Sequence, residues 1–320
     1  MIPVLDQQTG PERFYREMSP QLAARIRQYW AAQGHDLDRI WRDCIRGLSG
    51  FQPLAAGEPG GDSRAFDGLC LFDQALIWLM ALNRAARAAG RHQDLSLSRE
   101  QFTATEVLTD RMIETVSALR LLVLSGHALP ALQLARSVSE DVDMLLALML
   151  RRRLAMQFLA CDTAEAANDF WRRHIAGGRA FREVAEKLYA FGLDHTDQSE
   201  YGRWRREVLT LLGCAIHSSP LGRDRRAQGS DWPESPVARD CLEFVTHRLH
   251  ELCAWTHLLN LDLNGDLGRI AAACRRDDAE APLLCFAAGS RDIILDQMRW
   301  TVAGSAGPLR PGVSAAARPR

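Results

Sequence analysis

PALQLARSVSEDVDMLLALML, residues 130–150, is the stretch that decides the fold. After its opening proline it holds no helix breaker, and Leu, Val, Met and Ala occupy most of its circumference. At about 100° per residue, Arg136, Glu140 and Asp143 share one narrow stripe, with Gln133 beside them. A helix that is apolar nearly all round sits inside a protein. Charges on such a segment need partners. The stripe is therefore a thin solvent-facing edge with an i,i+4 Arg136–Glu140 pair, a buried polar network, or a ligand or catalytic site. Asp141 falls on the apolar side and needs a partner of its own.

Outward from this helix, the pattern stays helical. Ser19-Pro20 reads as an N-cap with proline at the first helical position, followed by Leu22, Ile26, Tyr29 and Trp30 as far as Gly34. A short helix follows over 36–46, and another over 71–89, after the Gly/Pro-rich stretch GFQPLAAGEPGGDSRAFDG (50–68). Ser98 and Gln101 form a capping box for a helix ending near Gly126. One helix is expected from Asp162 to Gly192, carrying Trp171, Ile175, Leu188 and Tyr189. Asp197 and Glu200 cap the next, with Trp204, Val208, Leu211 and Ala215 as its apolar face. Ser235-Pro236 opens a helix reaching Asn260, and a weaker pattern covers 282–300. No alternating strand pattern or fixed-period repeat competes. The expectation is an all-α, irregular bundle of about eight to ten helices. Its parts are an N-terminal helical hairpin (1–48) packed on the main unit, the bundle itself (68–300) and a disordered tail (303–320).

The chain has 320 residues, 47% of them hydrophobic and 25% charged, with a net charge of −1. That length supplies a large core. The charge gives no overall field towards nucleic acid or an acidic membrane, so neither is expected as a partner. Lys187 is the only lysine, a bias that fits a GC-rich genome better than selection for phosphate binding. The eight cysteines form no CxxC pair, and most lie in apolar helical patterns, which suits reduced thiols in a cytoplasmic protein. The N-terminus lacks a basic segment followed by an apolar run, and Arg120 and Asp143 interrupt the longest apolar stretches. Neither a secretory signal nor a membrane span is expected.

Several residues outside the stripe are candidates for chemistry. Arg248 lies within the apolar face Val237, Cys241, Phe244, Val245, Leu252, Trp255 and Leu259, and must find a carboxylate, for which Asp141 or Glu140 is proposed. Glu243, His247, His250 and His257 line one arc of the same helix. His247 and His250 are the closest approach to a metal pair, but the arc faces away from the apolar side, so solvated histidines and no metal or other cofactor are expected. His217 closes LLGCAIHSSP, either as a helix C-terminal cap or facing the Arg136/Glu140 stripe. P-loop, dinucleotide-binding, GxSxG and HExxH signatures are absent.

Two segments together carry a resemblance. SGHALPALQLARSVSEDV, with Arg136-Ser137 followed by Glu140, is similar to the central helix of an uncharacterised bacterial all-helical family, a domain of unknown function. VLTLLGCAIHSSP, ending in His217-Ser218, resembles that family's second recurring segment. The resemblance spans about residues 100–220. It marks Arg136, Glu140 and His217 as family-like positions and brings no activity with them. Arg120 and His127, with six residues between them, also match the Arg-x4–6-His signature of the helical HEPN ribonucleases of toxin and defence systems. The leading expectation is a soluble bacterial protein of interaction or regulatory type, in stress or phage defence, with a protein partner or a homodimer. The alternatives are a HEPN-like ribonuclease toxin using Arg120 and His127, and a small-molecule or metal-dependent enzyme using Arg136, Glu140 and His217. An interaction protein predicts an exposed apolar patch; the enzymes predict a cleft or pocket at their residues.

Overall fold

The computed structural model describes residues 15, 18–46, 63–216, 232, 235–274 and 279–304. Among these the chain is an all-α, multi-helix bundle. Its helices are α1 (Pro20–Ala32), α2 (Leu37–Arg46), α3 (Ser63–Ala89), α4 (Arg99–Leu124), α5 (Ala128–Leu150) and α6 (Arg152–Leu159). They continue with α7 (Ala164–His174), α8 (Arg179–Ala190), α9 (Glu200–Ile216), α10 (Pro236–Leu259), α11 (Leu263–Ala273) and α12 (Ala281–Gly304).

The start signals work as local chemistry dictates. Ser19 and Ser235 each accept a hydrogen bond from the third residue on and are followed by proline. Ser98 and Gln101 form both bonds of the capping box. Helix α5 ends at Leu150, where the stretch read from sequence ends, and the extended backbone of Arg151 starts α6 afresh. Elsewhere the boundaries move. Thr163, not Asp162, caps α7. The single helix expected over 162–192 is two, because Gly177 and Gly178 both adopt left-handed backbone (φ 68° and 74°) between α7 and α8. Ser199, rather than Asp197, accepts the Gly202 N–H at the start of α9 (2.9 Å). A β-carbon on Gly202 would collide with the Thr196 carbonyl, so the turn can fold against α9 only over a glycine. Helix α11 was not foreseen, since Gly265 and Gly268 dilute its pattern.

Helices α3, α4, α5, α10 and α12 form the centre. α5 packs on α4, α10, α9 and α8, and α10 is enclosed by α5, α3 and α12. Helix α3 is long and apolar enough to cross a membrane by composition alone, but most of that segment is buried within the protein as a core helix. The N-terminal pair shares this core. Trp30 and Trp41 are fully buried, and Trp30 stacks on Phe286 of α12 at 4.4 Å and donates to the Gln74 side chain of α3 at 3.0 Å. Asp67 of α3 accepts from both the amide and the hydroxyl of Ser19, at 2.8 and 2.7 Å. Since α3 begins at Ser63, the end of the 50–68 stretch is helix, and 47–62 lies outside the described residues. So does the expected tail beyond Gly304, and so do His217, Ser218 and the loop to residue 231. All eight cysteines are free thiols, four of them buried.

Candidate functional site

The polar stripe of α5 turns out to be the seam on which α9 lies. The Gln133 amide donates to the Ala215 carbonyl (2.8 Å), and the Arg136 guanidinium donates to the Leu209 carbonyl (2.8 Å). Arg205 of α9 pairs with Asp143. Advancing along α5 from 133 to 143 thus retreats along α9 from 215 to 205, an antiparallel ladder. Arg136 also pairs with Glu140 at 2.9 Å, both side chains half-buried. The fully buried face of α9 is Gly202, Arg205, Val208 and Leu212; of the face expected from sequence, Val208 is buried, and Trp204 and Ala215 pack part-buried against the core.

At its inner end the ladder opens into a closed network of charges. Asp143 accepts from Arg248 of α10 at 2.6 Å as well as from Arg205. Arg248 pairs in turn with Glu251 and donates to the Tyr201 hydroxyl (3.0 Å), while His247 meets the other Glu251 oxygen at 2.9 Å. Arg248, Glu251 and Asp143 are each under 5% exposed. The Arg205 guanidinium lies over the Phe181 ring at 3.8 Å. Tyr201 is packed among Trp204, Trp255 and His195. Burial opposes the charge on Arg248, but Tyr201, Glu251 and Asp143 outweigh it and hold its pKa above the ordinary value. Burial would likewise raise the Glu251 carboxyl, yet the adjoining His247 and Arg248 pull it down to about 2. Two arginines therefore face two carboxylates in a site whose acidic and basic groups already bind one another. As chemistry, it holds α5, α9 and α10 together.

This corrects several expectations. Arg248 does find a carboxylate on α5, but it is Asp143, together with Glu251 on its own helix, and neither Asp141 nor Glu140. Asp141 instead approaches exposed Arg111 at 3.4 Å and leaves its second oxygen unpartnered. Burial pushes its carboxyl up to about 7. The histidine arc of α10 is not solvated: His250 and His257 are buried and His247 is part-buried, because α10 is covered on nearly every side. Burial lowers the pKa of His250 to about 3 and of His257 to about 4, so both are neutral. Only Glu243 of that row is exposed. Among the described residues no group of His, Cys, Asp or Glu side chains is placed to hold a metal ion, at His247 and His250 or elsewhere.

Arg120 and His127 are not brought together. Arg120 is buried and grips Asp73 with two hydrogen bonds of 2.7 and 2.9 Å, and Tyr15 bonds the same carboxylate. His127 is exposed at the start of α5. Sequence reasoning missed Asp73, Tyr15, Tyr201, Arg205 and Glu251. Spacing held a signal for α9: Tyr201, Arg205, Val208 and Leu212 recur at helical intervals on one face.

The exposed apolar side chains lie elsewhere. Nine large ones are exposed among the described residues, and six of them fall between 156 and 193: Met156, Leu159, Trp171, Tyr189, Phe191 and Leu193. Helices α6, α7 and α8 pack in sequence to form this arm. Its inner side is aromatic, with Phe158 against Phe170 at 5.7 Å and Phe170 against His174 at 4.9 Å. On the outer side, Ala164 and Ala167 are exposed on the same face of α7 as Trp171. Comparisons with protein families, with curated proteins and with solved structures return no match for this chain.

Proposed function

We propose that this chain is a soluble, cytoplasmic bacterial protein of interaction or regulatory type, which engages a protein partner through the outer side of α6–α8. One observation carries this reading: two thirds of the exposed large apolar side chains concentrate in that arm, with Tyr189 62% and Trp171 43% exposed. Scattered single apolar residues on a surface need no explanation, but their concentration marks a place where another molecule binds. A role in stress or phage defence belongs to the same proposal and rests on the resemblance to the helical HEPN ribonucleases of toxin and defence systems. The two enzyme readings gain no support from the geometry, because Arg136 and Glu140 serve the α9 seam and Arg120 is committed to Asp73.

The test places a photo-crosslinking amino acid at Tyr189 and, as a control, at Val107, which is 48% exposed on α4. The expected result is a discrete adduct in cells from position 189 only, lost in the Trp171→Ser/Phe191→Ser background. Equal labelling from both positions, or none from either, overturns the proposal. Total RNA is run beside it, and RNA cleavage lost in Arg120→Lys would replace the interaction reading with the nuclease one.

A further inference from the structure

We infer that the partner of this arm presents an acidic, amphipathic helix or extended segment, an inference that rests on the interaction reading above. Residues 151–193 carry eight Arg and Lys against five Asp and Glu, a surplus of three in a chain whose net charge is −1. The ion pairs that the arm makes leave part of this surplus unspent. Arg151 pairs with Glu183, Arg152 with Glu100 of α4, and Arg173 with Asp169. Arg153, Arg172, Arg182 and Lys187 are exposed and have no ion-pair partner among the described residues.

The unpaired charges are distributed unevenly. Asp162 and Glu165 sit at the start of α7, where the helix N-terminus itself favours negative charge. Arg172 directly follows Trp171 near the end of α7. Arg182 lies on the same face of α8 as Tyr189, two turns earlier, and Lys187 lies in its last turn, with exposed Glu186 between them offsetting one of the two charges. Apolar contact area and unsatisfied positive charge therefore occur side by side around Trp171 and Tyr189. A complementary segment has apolar residues at helical spacing flanked by Asp or Glu.

The same charges argue against the other occupants. Two copies of this chain meeting arm to arm would bring equal positive surpluses together, which an isologous contact cannot avoid. Single-stranded nucleic acid would use the cations and the exposed aromatics, but Met156, Leu159 and Leu193, half of the apolar set, offer no face on which a base can stack.

The test uses the full chain and three fluorescently labelled probes, read by anisotropy. One is a synthetic helix-forming peptide with leucine at i, i+3, i+4 and i+7 and glutamate elsewhere. The second is the same peptide with lysine for glutamate, and the third is a 20-nucleotide oligouridylate. The acidic peptide is expected to bind at least tenfold more tightly than the basic one. The triple substitution Arg172→Glu/Arg182→Glu/Lys187→Glu should remove or reverse that preference while leaving the thermal midpoint unchanged. Equal binding of both peptides overturns the acidic partner while the apolar docking surface stands. Tightest binding of the oligouridylate, or self-association by light scattering that the acidic peptide displaces, overturns it in favour of that other occupant. Failure of both peptides, joined with no adduct at position 189, removes the interaction reading as well.

Discussion

The seam between α5 and α9 and the arm α6–α8 invert the usual distribution of side chains in opposite ways. Along the seam, charged groups lie inside, and each finds its counterpart within a few ångström, as Asp143 does between Arg205 and Arg248. On the arm, apolar groups lie outside and cations such as Arg182 and Lys187 are left over. Both patterns catch the eye in a search for function, but they differ in whether the chain satisfies its own demands. Buried charges that pair with one another are architecture, even though the Arg205 and Arg248 Nε atoms are left without a hydrogen-bond partner. Exposed apolar area with unpaired charge is what a partner would complete.

The comparison can be broken most sharply at Asp143. Asp143→Ala leaves Arg205 and Arg248 buried without their shared carboxylate, a loss expected to cost about 3–5 kcal/mol. Urea unfolding measures it, and a change below about 1 kcal/mol would show that the network is not structural. Asp141, two residues away and so on the opposite side of α5, gives an opposite sign. Its carboxyl titrates at about 7 in the folded chain, above the ordinary carboxylate value near 4. Protonation therefore favours the folded state, and this contribution grows as pH falls from about 7 towards 4 and is absent above 7. Asp141→Asn should remove that pH dependence and stabilise the protein at pH 8 by about 4 kcal/mol, at about 1.4 kcal/mol per pKa unit. Parallel stability–pH curves for the two proteins would refute the assignment. The smallest effect is expected on the arm, where Trp171→Ser and Tyr189→Ser should each alter stability by less than about 0.5 kcal/mol. A thermal shift as large as that of Asp143→Ala would make the arm part of the core.

Much of this fold was legible because its signals are local. Ser19-Pro20, Ser98 with Gln101, and Ser235-Pro236 mark helix starts through bonds spanning three residues, and those bonds form. The importance of Arg136, Glu140 and Asp143 was legible too, since a polar stripe on an apolar helix demands partners. The identity of those partners was not. Arg248 to Asp143 joins residues 105 apart and Arg205 to Asp143 residues 62 apart, distances over which helical periodicity carries no information. The histidines of α10 were misplaced for a related reason. A wheel ranks the faces of one helix against each other, whereas the burial of His250 and His257 comes from how many helices surround it. The arm was overlooked as a site because Trp171 and Tyr189 were counted towards an internal face of one long helix, which Gly177 and Gly178 divide in two.

The ladder between α5 and α9 also fixes where α9 stops along its track. Backbone carbonyls recur at every turn, so Gln133 and Arg136 would find equivalent acceptors if α9 slid by one turn, about 5.4 Å. The apolar rungs are equally repetitive, since the buried Val208 and Leu212 follow one another at an interval of four. Two contacts are not periodic: the Arg205 side chain that reaches Asp143, and the Tyr201 hydroxyl that accepts from Arg248 of α10. The alignment of a seventeen-residue helix is thus encoded in one ion pair and one hydrogen bond near its start, while the remaining contacts along the seam repeat from turn to turn.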